Sequence, residues 1–413
     1  MNWLKEHEMD SWILKAAFVL MLLFPAFYSP HTDVYQSAYY AGFSWAYFLL
    51  VLYMLLQIAW NRSSLKLSAW KWTGLVYFGL LFLYNAFSLY FNHTYLHWYW
   101  EQLNNTVAFL FLAVLAGFQV KLDGGKHDNI RFLLRCIVIS NVCSIIYYFL
   151  GYTNLLICNN RFIFFELPSN FYETRHYWIY SHKSEYALML TAFTALFVAY
   201  RKKFKNLLTF LLSMAVVLFC LWLTHSWTGI AGVFLIIAGG ALDQIDWKSF
   251  RPRAWHFAAG AGFLAVAGAA AYELLKERDI LSLGGRTHIW KAVWQVIAEH
   301  PEGWGMRFGT SMIGTETGLL VNNAHNVFLN QMLRFSIPVG ICFTLLFLGI
   351  VIYTLVKGRS FLLAGTWIAL LVLLDMDYSM MSLQMALVFL IIYLLMQKGK
   401  EKRLKRASRG YAI

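Results

Sequence analysis

The sequence predicts an all-α integral membrane protein of about twelve transmembrane helices, with both termini cytoplasmic and a large outer loop carrying a short amphipathic helix. Three observations carry that prediction. Only 13% of the 413 residues are charged and 60% are hydrophobic, whereas a soluble domain is roughly one quarter charged. Runs of the about 20 apolar residues that a spanning helix needs recur along the chain. They are continuous rather than alternating, which favours helices over a barrel. Finally, Lys and Arg collect in every second loop, as they do on the cytoplasmic side of membrane proteins.

In chain order, the apolar runs predict helices at 12–28, 39–60, 71–91, 105–120, 131–150, 183–200, 206–224, 227–242, 254–273, 336–356, 361–376 and 379–397. With the N-terminus inside, the cytoplasmic loops hold Arg62, Lys66 and Lys71; Lys121, Lys126, Arg131 and Arg135; Arg201, Lys202, Lys203 and Lys205; Lys248, Arg251 and Arg253; then Lys357 and Arg359. Outer loops 29–38, 92–104, 225–226 and 377–378 hold no Lys or Arg. Topology therefore accounts for most of the net charge of +13, and no nucleic-acid partner is expected. The first run ends without a small-residue cleavage site and reads as a retained helix. The five cysteines form no CxxC pair, and all but Cys158 lie in apolar runs. They read as small buried residues rather than disulfides or a metal site. The chain divides into 1–273, nine helices with an outer loop at 151–182; 274–335, a second outer loop; 336–397, three helices; and 398–413, a basic tail. The tail, "KGKEKRLKRASR", reads as a solvated charge run against anionic lipid.

Two outer loops break the charge rule: 151–182, with Arg161, Arg175 and Lys183 at its end, and 274–335. In the second, "GGRTHIWKAVWQVIAEHPEGWG" places Ile289, Trp290, Val293, Trp294 and Ile297 on one helical stripe. A helix over 287–299 is under about 20 Å long, too short to cross, and is expected on the outer surface with its tryptophans at headgroup depth. Pro301 ends it. Gly284 and Gly285 leave the backbone bare before its first turn, where N–H groups attract anions, and Arg286 adds a planar fork for phosphate oxygens. Two readings stand: a phosphate cradle, or an interfacial helix whose arginine snorkels to headgroups. In "NNAHNVFLN", Asn322, Asn323, His325 and Asn326 gather where the chain returns to the membrane. His325 is a candidate base and the asparagines are candidate ligands for sugar hydroxyls, or the loop simply caps a helix with polar groups. A helix from His325 to Leu355 would exceed the bilayer core, so a break is expected near Pro338 and Gly340. Arg334 is then expected near the outer interface, as a second phosphate contact or a snorkelling anchor.

Taken together, "GGRTHIWKAVWQVIAEHPEGWG" and "NNAHNVFLNQMLRFSIPVG" resemble the paired motifs of the O-antigen ligase and polymerase superfamily of bacterial membrane glycosyltransferases. "SHKSEYALML", residues 181–190, is similar to the polar start of that family's central helix, where Asn often stands in place of Ser184. The resemblance implies a donor glycan on undecaprenyl pyrophosphate, a sugar hydroxyl as glycan acceptor, Arg286 on the pyrophosphate and His325 as an essential histidine. It implies an active site facing outward from the bacterial cytoplasmic membrane. The family's second arginine falls in "LTHSWTGIAG", where Trp227 stands instead. Lys183, His225 or Arg334 are the candidate replacements, with His182, Gly284, Gly285, Asn323 and Asn326 as further substrate contacts.

The implied reaction is a metal-independent, inverting glycosyl transfer without cofactors. Its products are either a polymer of repeat units or, in the alternative ligase reading, a polymer moved onto lipid A-core or a cell-wall acceptor. No DxD or clustered carboxylates for Mg²⁺ are read in the outer loops. The pairs Glu166 and Glu173, Glu299 and Glu302, and Asp375 and Asp377 are expected on solvated surface. Trp178, Tyr180, Trp290, Trp294 and Trp304 are either sugar-stacking rings or an interfacial belt. A non-enzymatic flippase would show internal repeats or charges at mid-membrane, and neither is read here.

Overall fold

The computed structural model describes residues 8–24, 41–61, 76, 96–122, 128–158, 161–167, 175–180, 182–245, 285–304, 312–376 and 384–410. Twelve α-helices account for most of them: α1 (Met9–Leu23), α2 (Ala41–Asn61), α3 (Leu96–Phe118), α4 (Asn129–Phe149), α5 (Lys183–Ala199), α6 (Leu207–Leu223), α7 (Trp227–Leu242), α8 (Arg286–Glu299), α9 (Val327–Phe335), α10 (Ile337–Gly358), α11 (Phe361–Met376) and α12 (Met385–Gly410). The helices predicted at 71–91 and 254–273 lie almost wholly outside the described residues, as do Gly284, Glu173 and Asp377. Two helices, α4 and α10, are long and apolar enough to cross a membrane, and several shorter ones are strongly apolar.

Helix ends depart from the apolar runs where local chemistry overrules hydropathy. The α1 helix stops at Leu23 because Phe24 precedes Pro25 and takes an extended conformation. The α3 helix begins at Leu96, well before the apolar run, its first turns mixing aromatic with polar residues. The predicted break before the tenth span falls at Ser336, which has φ 146°. Its Oγ accepts the Val339 N–H, and Pro338 sits in the first turn of α10. The α12 helix continues into the basic tail as far as Gly410, because Lys, Arg and Ala propagate a helix already nucleated by the bundle.

The chain is not purely helical. The loop at 151–182 contains an antiparallel hairpin, β1 (Tyr152–Cys158) with β2 (Arg161–Glu166), in which Leu155 pairs with Phe164 and Ile157 with Phe162. A second, minimal pair joins β3 (Ile313–Gly314) to β4 (Leu320–Val321). β-Branched and aromatic residues at 155–165 favour pleated pairing.

Two helices form the centre. Every residue of α5 from Ser184 to Phe197 is buried, and so is every residue of α12 from Met385 to Met396. A helix apolar all round is covered all round. Here α6, α7, α11 and α12 cover α5, while α3, α10 and α11 add to the cover of α12. Small residues set the closest approaches. Gly229 faces Ala187, Gly232 faces Thr191 and Gly240 faces Val198, so α7 runs parallel to α5. Gly232 also faces Ala369, Gly239 faces the Phe361 carbonyl and Gly365 faces Leu235, so α7 and α11 are antiparallel.

A polar seam ties the 175–180 segment to the bundle. His176 Nε2 lies 2.8 Å from Ser144 Oγ, and the Tyr186 hydroxyl lies 2.9 Å from the same oxygen and 2.7 Å from Asn141 Oδ1. Trp178 Nε1 donates to Ser140 Oγ at 3.2 Å, and the His176 N–H donates to the Leu223 carbonyl at 3.1 Å. Trp178 and Tyr180 are therefore buried in the core, which removes them from the candidate sugar-stacking rings. Burial pushes the His176 imidazole down to about 4, against hydrogen bonds that act the other way.

Two outcomes are expected. A Cβ at Gly239 would collide with the Phe361 backbone, so Gly239→Leu should cost about 1–3 kcal/mol by overpacking. It should lower the thermal midpoint in detergent and broaden the size-exclusion peak. Gly349→Leu, where nothing lies within 4 Å, should do neither. The folded state binds a proton at His176 less readily than the unfolded chain. That contribution to stability is therefore full above the ordinary value of 6.5 and is lost as pH falls from 6.5 toward about 4. Thermal melts of the wild type between pH 4 and 8 should show this extra acid-side loss, and His176→Gln should remove it.

Candidate active site at one end of the bundle

The site starts from α8. Gly285 caps it with φ 86° and no side-chain cap, and Arg286 is its first residue. Ile289, Val293 and Ile297 form its buried face, packed with Ile313, Val321, Ala324, Leu329 and Leu333 into a second, smaller core. The aliphatic part of the apolar stripe therefore faces protein. The reason is that α9 and the β3–β4 pair present a matching apolar surface that the sequence does not reveal as adjacent. Trp290 Nε1 donates to the Ala324 carbonyl at 3.0 Å, while Trp294 stays half exposed. Beyond α8 the chain docks on the α9–α10 break: Trp304 N–H donates to Leu333 O at 2.7 Å and Ile337 N–H to Pro301 O at 3.1 Å. Gly303, at φ 83°, leaves no room for a Cβ against Phe335 and Ser336.

These contacts align α8 and α9 in the same direction. Arg286 stands one turn, about 6 Å of rise, before Trp290, and His325 follows Ala324. The Trp290–Ala324 bond thus gathers Arg286 and His325 at one end of the α8–α9 layer. His325 is half-buried with φ 48°, a left-handed conformation that costs energy in most residues and clusters at functional sites. Its turn is held from both sides. The His325 N–H donates to Asn323 Oδ1 at 2.8 Å, and Asn323 Nδ2 donates to Asn322 Oδ1 at 2.8 Å. The Ala324 N–H donates to Asn330 Oδ1 at 2.8 Å. Asn326 Oδ1 caps α9 by accepting the N–H groups of Phe328 and Leu329, each at 3.0 Å, and Asn326 Nδ2 donates to Asp375 Oδ1 of α11 at 3.2 Å.

Asp375 connects this turn to the helix bundle. The antiparallel α7–α11 register, carried to the helix ends, puts Asp375 level with His225 and Ser226. The parallel α5–α7 register puts Lys183 level with His225. Arg175 reaches the same end, because His176 binds Leu223 and the Arg175 carbonyl accepts Thr153 Oγ1 at 2.6 Å. Burial first, then the charges of Lys183 and Arg175, hold the His225 imidazole below its ordinary value. His225 also stacks on Trp222, ring centres 6.4 Å apart. His182 caps α5, its Nδ1 accepting the Ser184 N–H at 3.2 Å. That gives His182 a structural task beside any contact with substrate. Trp227 opens α7, with the Ser226 hydroxyl accepting the Gly229 N–H.

Arg334 departs from expectation. It is fully buried, its guanidinium 5.2 Å from the Phe335 ring, so it is not a snorkelling anchor. The cause is tertiary: α9 is covered by α8, α10 and α11 at once. Gln331, also fully buried, makes no hydrogen bond among the described residues. Asp375 was expected on solvated surface, and its place beside Asn326 was not foreseen. Asparagine beside an essential-looking histidine signals a cap, but no sequence pattern names the distant carboxylate it binds. Glu166, Glu299 and Glu302 are exposed, as expected. Among the described residues no three His, Cys, Asp or Glu side chains converge on one point.

No family model matches the sequence, and no curated protein aligns with it significantly.

Removing the Asn326 side chain deletes both a helix cap and the tie to Asp375. Asn326→Ala should cost about 1 kcal/mol or more of stability, seen as a lower thermal midpoint. Asn326→Asp keeps the capping oxygen but sets a second carboxylate against Asp375, and its midpoint should fall further below that of the wild type at neutral pH than at pH 4. Equal melting of Asn326→Asp at both values, after the wild-type change is subtracted, would contradict this arrangement.

Proposed function

We propose that the chain is a membrane glycosyltransferase of the O-antigen ligase and polymerase type. It spans the bacterial cytoplasmic membrane about twelve times with both termini inside, and polymerises repeat units of a surface polysaccharide on the outer face. The observation that supports this reading best is the Trp290–Ala324 hydrogen bond, which ties the arginine-led start of α8 to the His325 turn. The Asn326–Asp375 bond joins that pair to the end of the bundle carrying Lys183 and His225. Cations at one end of an apolar bundle, beside an imidazole, suit a lipid-linked diphosphate and an incoming alcohol.

In this mechanism the donor is a glycan on undecaprenyl pyrophosphate. Arg286 binds diphosphate oxygens bidentately, and the N-terminus of α8 adds its dipole. Lys183, with His225 beside it, is the second cationic contact in place of the family's missing arginine. The acceptor hydroxyl attacks the anomeric carbon from the side opposite the diphosphate. A C–O bond to the acceptor forms, the anomeric carbon–oxygen bond to the diphosphate breaks, and the configuration inverts. The hydroxyl proton passes to the His325 imidazole. The diphosphate leaves with both bonding electrons, its charge stabilised by Arg286. Asn323 and Asn326 orient the turn that presents His325. No cofactor enters these steps.

A general base contributes about 10²–10⁴ in rate, and one charge-assisted hydrogen bond about 1.5–3 kcal/mol. His325→Ala should nearly abolish turnover of a synthetic undecaprenyl-pyrophosphate repeat unit in vesicles. Arg286→Ala should lose at least about tenfold, and Arg286→Lys should recover only part, because an ammonium cannot match the fork. Ladder products would mark a polymerase, and one transfer to a different acceptor would mark a ligase. No release of lipid pyrophosphate by the wild type, or full activity in both alanine variants, would defeat the assignment.

A further inference from the structure

The β1–β2 hairpin is packed against the bundle along β1, while β2 is left largely uncovered. Tyr152 stacks on Tyr147 of α4 with ring centres 5.1 Å apart, and Thr153 and Asn154 are buried. On β2, Phe162 and Phe164 alternate onto one face and are each more than half exposed. A two-stranded hairpin is marginal in water. One that shows phenylalanines to water forgoes the burial that would stabilise it, and exposed apolar patches of this kind mark contact surfaces.

What covers this face is indicated by its continuity with other apolar surface. On α4, Ile139, Val142, Ile146 and Phe149 are exposed at helical spacing, a stripe that runs to the start of the hairpin. On the neighbouring α6, Leu208, Leu211 and Trp222 are exposed along the helix. The two stripes meet where the Phe219 ring stacks on Phe149, at 6.4 Å, and on Trp222, at 5.7 Å. Phe164 lies close to the end of α4, its ring 6.4 Å from the buried Tyr147 and 6.0 Å from Tyr152. At the base of the hairpin the polar residues Glu166, paired with Tyr152, and Arg175, whose carbonyl accepts Thr153 Oγ1, are exposed. Apolar stripes that end in aromatic rings and then in charge follow the profile of a bilayer from acyl chains to headgroups.

The geometry points to a membrane anchor: Phe162 and Phe164 of the hairpin seat in the acyl–headgroup boundary of the outer leaflet, with phospholipid as the occupant. The inference rests on the reading of the chain as a membrane protein with this end outermost. It gives the hairpin a task. The Leu155 N–H donates to the Trp178 carbonyl at 2.7 Å, so the depth of the hairpin fixes the depth of the 175–180 segment, which leads into Lys183.

Benzoylphenylalanine, another aromatic residue, tests this directly. On irradiation its ketone carbon bonds to a C–H carbon in contact, and its oxygen takes the hydrogen. The full chain carrying it at position 162 or 164 is placed in vesicles of phosphatidylethanolamine and phosphatidylglycerol. The same probe at Leu211, on the α6 stripe, and at Glu316, exposed on the β3–β4 turn, provides references. Lipid adducts at 162 and 164, at no less than half the yield at Leu211 and well above that at Glu316, are expected. Cross-linked chain dimers, or adduct no greater than at Glu316, would overturn the anchor while leaving the membrane reading intact. Absence of lipid adduct at Leu211 as well would overturn both.

Discussion

The side chain of Asn326 is the joint on which the candidate site depends. Its oxygen satisfies two N–H groups at the start of α9, and its nitrogen reaches a carboxylate on α11. Asparagine does both because a primary amide carries an acceptor and a donor on one carbon. Aspartate would cap equally well but would repel Asp375, and serine is too short to span the gap. His325 is the residue just before this joint. Its backbone is therefore fixed between a cap, an asparagine pair and the Trp290–Ala324 bond, which is what holds a non-glycine residue in a left-handed conformation.

The layer made by α8 and α9 is a small core of its own, docked on the larger bundle. That division has an energetic consequence for α9, whose buried residues include Asn330, Gln331 and Arg334. Burying amide and guanidinium groups is unfavourable unless they are answered by partners, and the Gln331 amide makes no hydrogen bond among the described residues. Asn330 shows the benefit: its oxygen accepts the Ala324 N–H, tying the middle of the helix back to the loop that precedes it. Under the proposed reading, the buried charge of Arg334 also adds to the positive potential behind the diphosphate.

The two ends of the bundle are electrostatically unlike. At the end away from the candidate site, carboxylates sit on helix N-termini, where the dipole favours them. Asp243, after α7, accepts the N–H groups of Phe361 and Leu362 at the start of α11. Asp128 caps α4 and pairs with Lys203 at 2.9 Å; burial alone would raise its carboxyl, but the Arg131 N–H and Lys203 outweigh it and hold it low. At the other end, Arg175, Lys183 and His225 converge in the company of Asp375. Lys and Arg are also dense at the first end, where Arg131, Arg201, Lys202, Lys203, Lys357 and Arg359 lie near these carboxylates; what sets the second end apart is that its few cations stand at the end that α8 and the His325 turn share.

The mostly helical architecture was legible in the sequence, because an apolar run long enough to make a helix says so without reference to any other segment. The α8 helix, its termination at Pro301 and the break before Pro338 were legible for the same reason: they follow from periodicity and from proline's local geometry. Arg286 and His325 stood out as polar residues at the edges of apolar runs. What lies beside them did not. The Asn326–Asp375 bond joins residues far apart in sequence, the burial of Arg334 needs three helices at once, and the level meeting of Lys183 with His225 depends on glycines that set helix register. The hairpin at 152–166 was missed because a strand pair is defined by its partner rather than by a run. Sequence determined that most of these segments are helices and, where a proline or a capping side chain intervenes, where they stop. Only the fold decided which faces meet, because packing depends on the summed shape of several segments and no single segment contains it.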